Sequence, residues 1–303
     1  MGTCIEAVAG AAAHGRWIGR GALHLSDVAA ESCLARAHHR ADELDLLVNV
    51  GLYKDHSIAE PALASIIQED LGANPGHPPR AGHHGTFSFD LMNGGAGMVT
   101  AAQLIDGFIT GHTARLAMIV AADADPSPRS SRQFPFAPAG GAVLLGPGRD
   151  GAGFQHFKIA TFPHDAALFE SHTRWDPDAG LLRRGRNVLE VYEAPRFASA
   201  CSEHGIAVAR ELLVEAGVAP EAIDLVIAST YPRGFALDVA RGLGIAEACV
   251  PTITGELTRA HTAGPILALD AAFESGQLAR ARHILFVTAG AGITIGAALY
   301  VNA

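Results

Sequence analysis

The sequence predicts an α/β fold built from two similar halves. Short apolar runs bounded by glycine, which are typical of buried strands, alternate with segments of helical apolar spacing. The same order of elements occurs twice along the 303 residues. Glycine is frequent, at 34 residues, and aromatic residues make up only 6%, so we expect an aliphatic core with many tight turns. Alternating buried strands and helices favour a layered α/β architecture over a helical bundle.

In the first half, strands and helices alternate from residue 45 onward. The apolar pattern predicts strands at 45–51, 87–91 and 116–121 and helices at 60–71 and 96–108. The first of these helices is followed by Gly72, and glycine is common directly after a helix. Residues 136–146 read FAPAGGAVLLG, which predicts a glycine turn that leads into a further strand.

The second half repeats this order. We predict strands at 224–229, 284–287 and 294–301 and helices at 235–243 and 261–273. Gly111 corresponds to Gly276, and Arg115 to Arg280, at an offset of 165 residues. The duplication predicts an N-terminal half over residues 1–150 and a C-terminal half over residues 151–303. Residues 147–186 break the pattern, and we expect them to form the junction and a surface excursion.

Composition and charge exclude several classes of function. The formal net charge is −9, and the sequence carries no basic stripe of the kind that nucleic-acid-binding proteins use. Cys4, Cys33, Cys201 and Cys249 form no CxxC pair, so we predict reduced thiols with neither a disulfide nor a metal site. The N-terminus lacks the basic region of a signal peptide, which predicts a cytoplasmic protein.

The uncharged C-terminal stretch, residues 284–303, is long enough to be checked as a membrane span. It contains Gly290, Gly292 and Gly296, a pattern more typical of two short buried strands, so we expect no membrane association. The same glycines resemble a dinucleotide fingerprint. Because neither a helix nor an acidic residue can follow at the required distance, the sequence predicts no nucleotide or other cofactor.

The repeat itself points to a site. It places residues 95–97 opposite residues 260–262, and each segment opens a long helix. Two facing helix starts would favour an anion, a thioester carbonyl or an oxyanion, because helix N-termini carry partial positive charge and free N–H groups. His261 is then a candidate general base or oxyanion donor. The simpler alternative is a histidine that only solvates the end of its helix.

Four segments carry a family resemblance. Residues 89–98 read FDLMNGGAGM, 136–145 read FAPAGGAVLL, 185–192 read GRNVLEVY, and 289–299 read AGAGITIGAAL. In this order they resemble the nucleophile segment, a glycine-rich strand, the entry to a central helix and the closing glycine-rich strand of the thiolase superfamily, most closely its ketoacyl-ACP synthase III branch. The resemblance covers about residues 40–146 and 182–301. It implies a thiolase-like fold with a layered α-β-α-β-α core, acyl-CoA or acyl carrier protein as partner, and a homodimer or a heterodimer with a related synthase.

The sequence departs from this family at the catalytic positions. Such synthases condense acyl groups with a cysteine, a histidine and an asparagine. Here the cysteine position is Gly95, which cannot act as a nucleophile, and the histidine position is Ser229. The asparagine segment aligns around His261, and residues 261–264 (HTAG) resemble the H-x-x-G pattern of relatives that transfer acyl groups to oxygen or nitrogen. The standard condensation is therefore not expected.

The resemblance assigns candidate roles to seven residues. His261 and Ser229 are the candidate catalytic residues, and the candidate substrate-binding or oxyanion positions are Asn93, Gly94, Gly95, Ala96 and Gly292.

Two interpretations stay open. In the first, the chain is an acyltransferase or thioesterase of fatty-acid, polyketide or related secondary metabolism. The N–H groups of Gly95 and Ala96 polarise an acyl thioester, and His261 activates an alcohol, amine or water without an acyl-enzyme. In the second, the chain is a non-catalytic subunit that completes a dimer with an active partner. Cys201 and His204 share one face of a predicted helix at 198–216, but its apolar spacing favours a buried structural thiol.

Overall fold

The fold was analysed in a computed structural model that describes residues 2–13, 21–55, 60–74, 85–126, 134–149, 151–178 and 185–302. The strands are β1 (Thr3–Ala12), β2 (Leu46–Asn49), β3 (Phe87–Asp90), β4 (Ala117–Asp123), β5 (Ala139–Pro147), β6 (Gly153–Thr161), β7 (Phe169–Asp176), β8 (Arg186–Glu193), β9 (Leu225–Ala228), β10 (His283–Gly290) and β11 (Thr294–Val301). The helices are α1 (Ala22–Ala37), α2 (Leu63–Leu71), α3 (Gly97–Thr110), α4 (Phe197–Ala216), α5 (Phe235–Leu243), α6 (Gly264–Glu274) and α7 (Gln277–Arg280).

Two sheets share one design. The first has the order β1-β5-β4-β2-β3, and the second has the order β6-β11-β10-β9. In each sheet two antiparallel pairings are followed by a parallel one: β1 with β5, β5 with β4 and β4 with β2, and likewise β6 with β11, β11 with β10 and β10 with β9. A hairpin of β7 and β8 is separate from both sheets. The repeat in the sequence thus corresponds to a repeat in strand order, whereas the boundary at residue 150 stays a prediction.

The helices and sheets form five layers. α1 and α2 cover the outer face of the first sheet, and α4 and α5 cover the outer face of the second. α3 and α6 lie between the two sheets, where their apolar side chains form a third core. This α-β-α-β-α arrangement agrees with the fold class that the sequence predicts. It places the N-terminal ends of α3 and α6 in the middle of the molecule.

Local sequence explains where the elements begin and end. All seven residues of β4 (AMIVAAD) are buried, as expected for a strand covered by helices on both faces. α2, α4 and α5 end at Gly72, Gly217 and Gly244, each in the left-handed conformation that glycine adopts at low cost. Among the described residues, no helix is long and apolar enough to cross a membrane.

Three expectations from the sequence are wrong. Residues 147–186 are not only a surface excursion, because they contain β6, which pairs with β11 in the second sheet. The segment at 185–192 does not enter a helix but forms most of β8, and α4 starts five residues beyond it, at Phe197. His261 precedes its helix instead of opening it, because Pro265 sits in the first turn of α6, a position that proline favours.

Candidate active site

The starts of the two central helices meet, as the repeat predicts. A tight turn at Gly94–Ala96 leads into α3, and His261 lies three residues before α6. A Cβ atom built on Gly94 would lie 4.0 Å from Nε2 of His261. Gly94 has a φ of +50°, so its backbone takes a conformation that side chains disfavour. The turn before α3 therefore approaches the imidazole through backbone alone.

A buried ion-pair network holds the turn before α3. The Asp90 carboxylate, at the end of β3, accepts hydrogen bonds from the side chains of Lys54 and Asn49 and from the N–H groups of Leu63 and Ala64. Partial burial opposes ionisation of Asp90, but the Lys54 ammonium and these donors outweigh it and lower the pKa of the carboxyl. The same carboxylate thus caps the N-terminus of α2 and fixes the chain entering residues 91–96.

His261 is paired with a buried carboxylate, Asp123, at the end of β4. Nδ1 of His261 lies 3.2 Å from Oδ2 of Asp123. The same oxygen accepts a hydrogen bond from the N–H of Thr262 at 2.8 Å and another from the Thr262 hydroxyl. The other oxygen accepts the N–H groups of Leu52 and Tyr53 at 2.9 and 2.6 Å. Asp123, which is 1% exposed, is therefore fully satisfied by donors.

The protonation of this pair follows from its contacts. Burial alone would raise the pKa of Asp123, but the charge and hydrogen bond of His261 and the donors around it lower the pKa instead. An ionised carboxylate only accepts hydrogen bonds, so Nδ1 of His261 must be the donor. In the neutral imidazole, Nε2 then carries the lone pair. Nowhere in the described residues does Nε2 have a hydrogen-bond partner, and it faces Gly94. This arrangement suits a general base.

Aromatic side chains enclose the imidazole. The ring of Phe136 stacks on His261 at 4.2 Å between centroids, and the ring of Tyr53 lies 5.4 Å away. Tyr231 packs edge-on against Phe136 at 4.9 Å. Burial raises the pKa of Tyr53 to about 12, so its phenol stays protonated at neutral pH. His261 itself is 8% exposed, and its orientation is fixed by both the carboxylate and the rings.

Gly95 is tightly covered. A Cβ atom built on it would lie 2.1 Å from the carbonyl oxygen of Ala289, well inside contact distance, and 3.7 Å from Oγ of Ser229. Ser229 is 1% exposed, and its Oγ accepts the N–H of Ala289 at 3.0 Å. Gly95 and Ser229, which the resemblance aligns with the cysteine and histidine positions, are thus close together. With the backbone as it stands, however, no side chain fits at position 95.

The other candidate positions around the turn serve different purposes. The N–H of Ala96 donates to the carbonyl of Asn93 at 3.1 Å, so in this conformation it is not free to polarise a substrate carbonyl. The side chain of Asn93 donates to Oγ1 of Thr100 along the start of α3. Gly292 lies in the turn between β10 and β11 with a φ of +110°, and a Cβ there would have only Thr294 within 4 Å. Among the seven candidate positions, His261 lies beside Gly94 and Ser229 lies beside Gly95.

A cavity of about 850 Å³ opens beside Ser229. It lies between the end of β9, the start of α5 and residues 250–258, and Thr230, Phe235 and Ile253 are among its lining residues. Arg233 lies on its lining as well and is exposed. In the part of the chain that the structure describes, this guanidinium has no acidic partner. The cavity is therefore largely apolar, and its charged lining residues are Arg233 and Glu247, the second of which pairs with Arg241.

Sequence reasoning does not single out Asp123, although a signal exists. The residue stands at the carboxyl end of a buried strand, where sites in α/β proteins form.

Cys201, considered above as a possible thiol nucleophile beside His204, is fully buried, and burial raises its pKa to about 12. As the helical spacing predicts, it is a core residue.

Comparisons with known proteins agree with this fold. Residues 213–301 match the family model of the 3-oxoacyl-[acyl-carrier-protein] synthase III C terminal. The β-ketoacyl-[acyl-carrier-protein] synthase III of Aquifex aeolicus is 25% identical over 281 residues, which cover 91% of this chain and 82% of that protein. A crystal structure of the 3-oxoacyl-[acyl-carrier-protein] synthase III from the same organism gives a TM-score of 0.79 at 20% identity, covering 99% of this chain and 100% of that one. A priming β-ketosynthase from a polyketide biosynthetic pathway also gives 0.79, at 19% identity, covering 99% of this chain and 96% of that one.

Proposed function

We propose that this chain, a ketoacyl-ACP synthase III-like protein of the thiolase superfamily, binds acyl thioesters and transfers or hydrolyses their acyl group with His261 as the general base. The observation that carries this proposal is the buried pair of Asp123 and His261, whose Nε2 has no hydrogen-bond partner in the described part of the chain. The thioester is carried by an acyl carrier protein, which the names of the relatives print, or by CoA, which the sequence resemblance implies.

The reaction runs without an acyl-enzyme, because position 95 offers no nucleophile. An alcohol, an amine or water attacks the thioester carbonyl carbon while Nε2 of His261 takes its proton. The carbon–sulfur bond then breaks, and the proton returns from Nε2 to the departing thiolate. Asp123 stabilises the transient imidazolium and keeps Nδ1 protonated. A positioned base of this kind contributes roughly 10²–10⁴-fold.

The cavity beside Ser229 is our candidate for the carrier arm of the thioester. Its apolar lining suits a long flexible chain, and Arg233 at its edge can bind a phosphate of CoA or of a phosphopantetheine group. Arg233→Ala should therefore raise KM for acyl-CoA. It should leave KM unchanged for an acyl-pantetheine thioester, which carries no phosphate.

Release of free thiol from a panel of acyl-CoAs, with water, small alcohols and amines as acceptors, tests the proposal. Wild type should release thiol, and His261→Ala should lose roughly 10²–10⁴-fold of that rate. His24→Ala is the matched control, because His24 is exposed on α1. Equal rates in wild type and His261→Ala would refute His261 as the base.

The second candidate function is that of a non-catalytic subunit. Two observations favour it: the backbone of Ala289 fills the space of a cysteine side chain, and β3 forms an exposed edge of the first sheet. Beside this edge, Phe87 and Met92 are 59% and 63% exposed. An apolar edge strand is suited to pairing with a second chain, either another copy or a related synthase.

Native mass spectrometry separates these possibilities. A homodimer that Phe87→Lys dissociates would favour self-pairing at β3. A chain that stays monomeric alone, releases no thiol and forms a complex with a co-expressed synthase carrying an intact cysteine would favour the subunit function.

A further inference from the structure

Two histidines and a carboxylate lie close together in a part of the chain that is distant in sequence from the N-terminal ends of α3 and α6. His164 and Asp165 lie in the short helical segment Pro163–Leu168 after β6, and His204 lies on α4. Nε2 of His204 is 2.7 Å from Oδ2 of Asp165, and Nε2 of His164 is 3.3 Å from the same oxygen. One potential ligand atom from each residue thus falls within 4.8 Å of the other two.

The surroundings enclose two of these side chains and leave the third exposed. Asp165 is 6% exposed, and the ring of His204 stacks on Phe162 at 3.7 Å with an interplanar angle of 8°. The side chain of His164, by contrast, is 68% exposed. A half-formed site of this kind has a fixed pair of donors and an accessible third one.

One anionic side chain, Asp165, and one nearby cation, Arg196, contribute to the charge of the cluster. The positive charge of Arg196 is partly offset by Glu203, whose carboxylate lies 3.8 Å from the guanidinium.

We propose that His164, Asp165 and His204 bind one zinc ion. Two imidazole nitrogens and a carboxylate oxygen are donors that zinc prefers, whereas magnesium and calcium prefer oxygen alone. Tetrahedral zinc with bonds of about 2.0–2.1 Å needs ligand atoms about 3.3 Å apart. The separation of 3.3 Å between His164 and Asp165 already meets this distance.

Zinc binding requires the other two ligand separations to change. The imidazole nitrogens of His164 and His204 lie within 4.8 Å of each other and must come to about 3.3 Å. The 2.7 Å contact between His204 and Asp165 is a hydrogen bond, and it must open by about half an ångström when zinc displaces the shared proton. Three protein ligands leave the fourth position to a water molecule, which reaches the site past exposed His164. The sequence does not predict this cluster, because the ligands come from two elements that are distant along the chain.

The ion would join two parts of the second half. It would tie the segment after β6 to α4, and the N–H of Phe162 already donates to the carbonyl of Ile293 at 2.7 Å. Ile293 lies in the turn between β10 and β11, just beyond Ala289, which covers Gly95. Zinc would thus brace the segment that holds this turn, a role that does not depend on the proposed chemistry at His261.

Titration of chelator-treated full-length protein with zinc alone tests the site, with calorimetry to measure affinity and stoichiometry. Wild type should bind one zinc ion per chain, and zinc should raise its melting temperature. His164→Ala should weaken binding by at least about tenfold, since even partners one shell beyond the ligands contribute 10–100-fold. Asp165→Asn, which retains the volume of the side chain, should do the same. Cobalt in place of zinc should give the strong visible absorption of a four-coordinate ion.

The chain has 15 histidines, so weak binding elsewhere must be separated from this site. His172→Ala is the matched control. Nε2 of exposed His172 lies 3.5 Å from Glu190, and within the described ranges His172 belongs to no group of three potential metal ligands. His164 is mostly exposed, so its loss should leave the fold intact, which the melting temperature of metal-free protein checks. The absence of saturable one-to-one binding in wild type, or equal affinities in His164→Ala and His172→Ala, would overturn the proposal.

Discussion

The contact between Gly95 and the carbonyl of Ala289 can be tested by adding a single carbon atom. In Gly95→Ala the new Cβ would lie 2.1 Å from that oxygen, whereas ordinary contact begins near 3.4 Å. One of the two backbone segments must therefore move by more than an ångström. Ala289 lies in β10, paired with Ile295, so it cannot move without disturbing the second sheet. We expect the substitution to lower the free energy of unfolding by about 3 kcal/mol, the upper end of the usual range for overpacking.

Urea denaturation followed by circular dichroism measures this loss, and thermal melting should fall by roughly 2–4 °C for each kcal/mol. Gly107→Ala is the control, because Gly107 is exposed in α3 and a Cβ there meets nothing within 4 Å. That change should stabilise the protein by about 0.5–1 kcal/mol. If Gly95→Ala unfolds at the same urea concentration as wild type, then the Ala289 carbonyl does not fill the space beside position 95 and the reasoning is refuted. In that case Gly95→Cys should accept an acyl group from acyl-CoA, which the closed packing prevents.

Three further predictions concern buried ionisable groups. Asp123→Asn should reduce thiol release about 10²–10⁴-fold. Folding lowers the pKa of Asp123, so the stability that its carboxylate contributes is present above the unfolded pKa and is lost as the pH falls through the folded pKa. The free energy of unfolding of the variant should therefore change less in acid than that of wild type. Asp27 is the opposite case, because partial burial, then Asp70 and Glu31, raise its pKa to about 7, and one of its buried oxygens has no partner among the residues that the structure describes. Wild type should therefore lose stability as the pH rises from about 4 to about 7, and Asp27→Asn should be more stable than wild type at about pH 8 by about 1 kcal/mol after allowance for solvent screening. Burial raises the pKa of the thiols of Cys33 and Cys201 to about 12, so iodoacetamide should modify neither in native protein, as mass spectrometry of its peptides will check; rapid alkylation of either would contradict their burial.

Much of the fold could be predicted because its elements have strong local patterns. The helix at 235–243 and the strand at 294–301 have the bounds that the sequence predicts, since glycine or a sharp change in polarity marks their ends. β6 could not be predicted in the same way. The alternation of apolar and polar residues along β6 is interrupted, because β6 is an edge strand with several exposed polar side chains. Only its pairing with β11 defines it as a strand.

The candidate site was predictable only as far as the repeat extends. The offset between the halves brings His261 to the turn before α3, because symmetry acts on whole elements. It says nothing about Asp123, whose role depends on five hydrogen bonds from two separate segments, residues 52–53 and 261–262. The lack of space for a side chain at Gly95 likewise could not be predicted from the sequence, since it depends on the position of the Ala289 carbonyl group in β10.

The pairing of Asp123 with His261 also has a consequence for biosynthesis. The two residues are 138 positions apart, so at about 5–20 residues per second the ribosome takes roughly 7–28 s to add the histidine after the aspartate. During that interval the carboxylate lacks both His261 and Thr262 and must stay hydrated, because an unpaired charge is costly to bury. The first sheet can therefore form on the ribosome, but the end of β4 cannot be sealed until almost the whole chain has emerged.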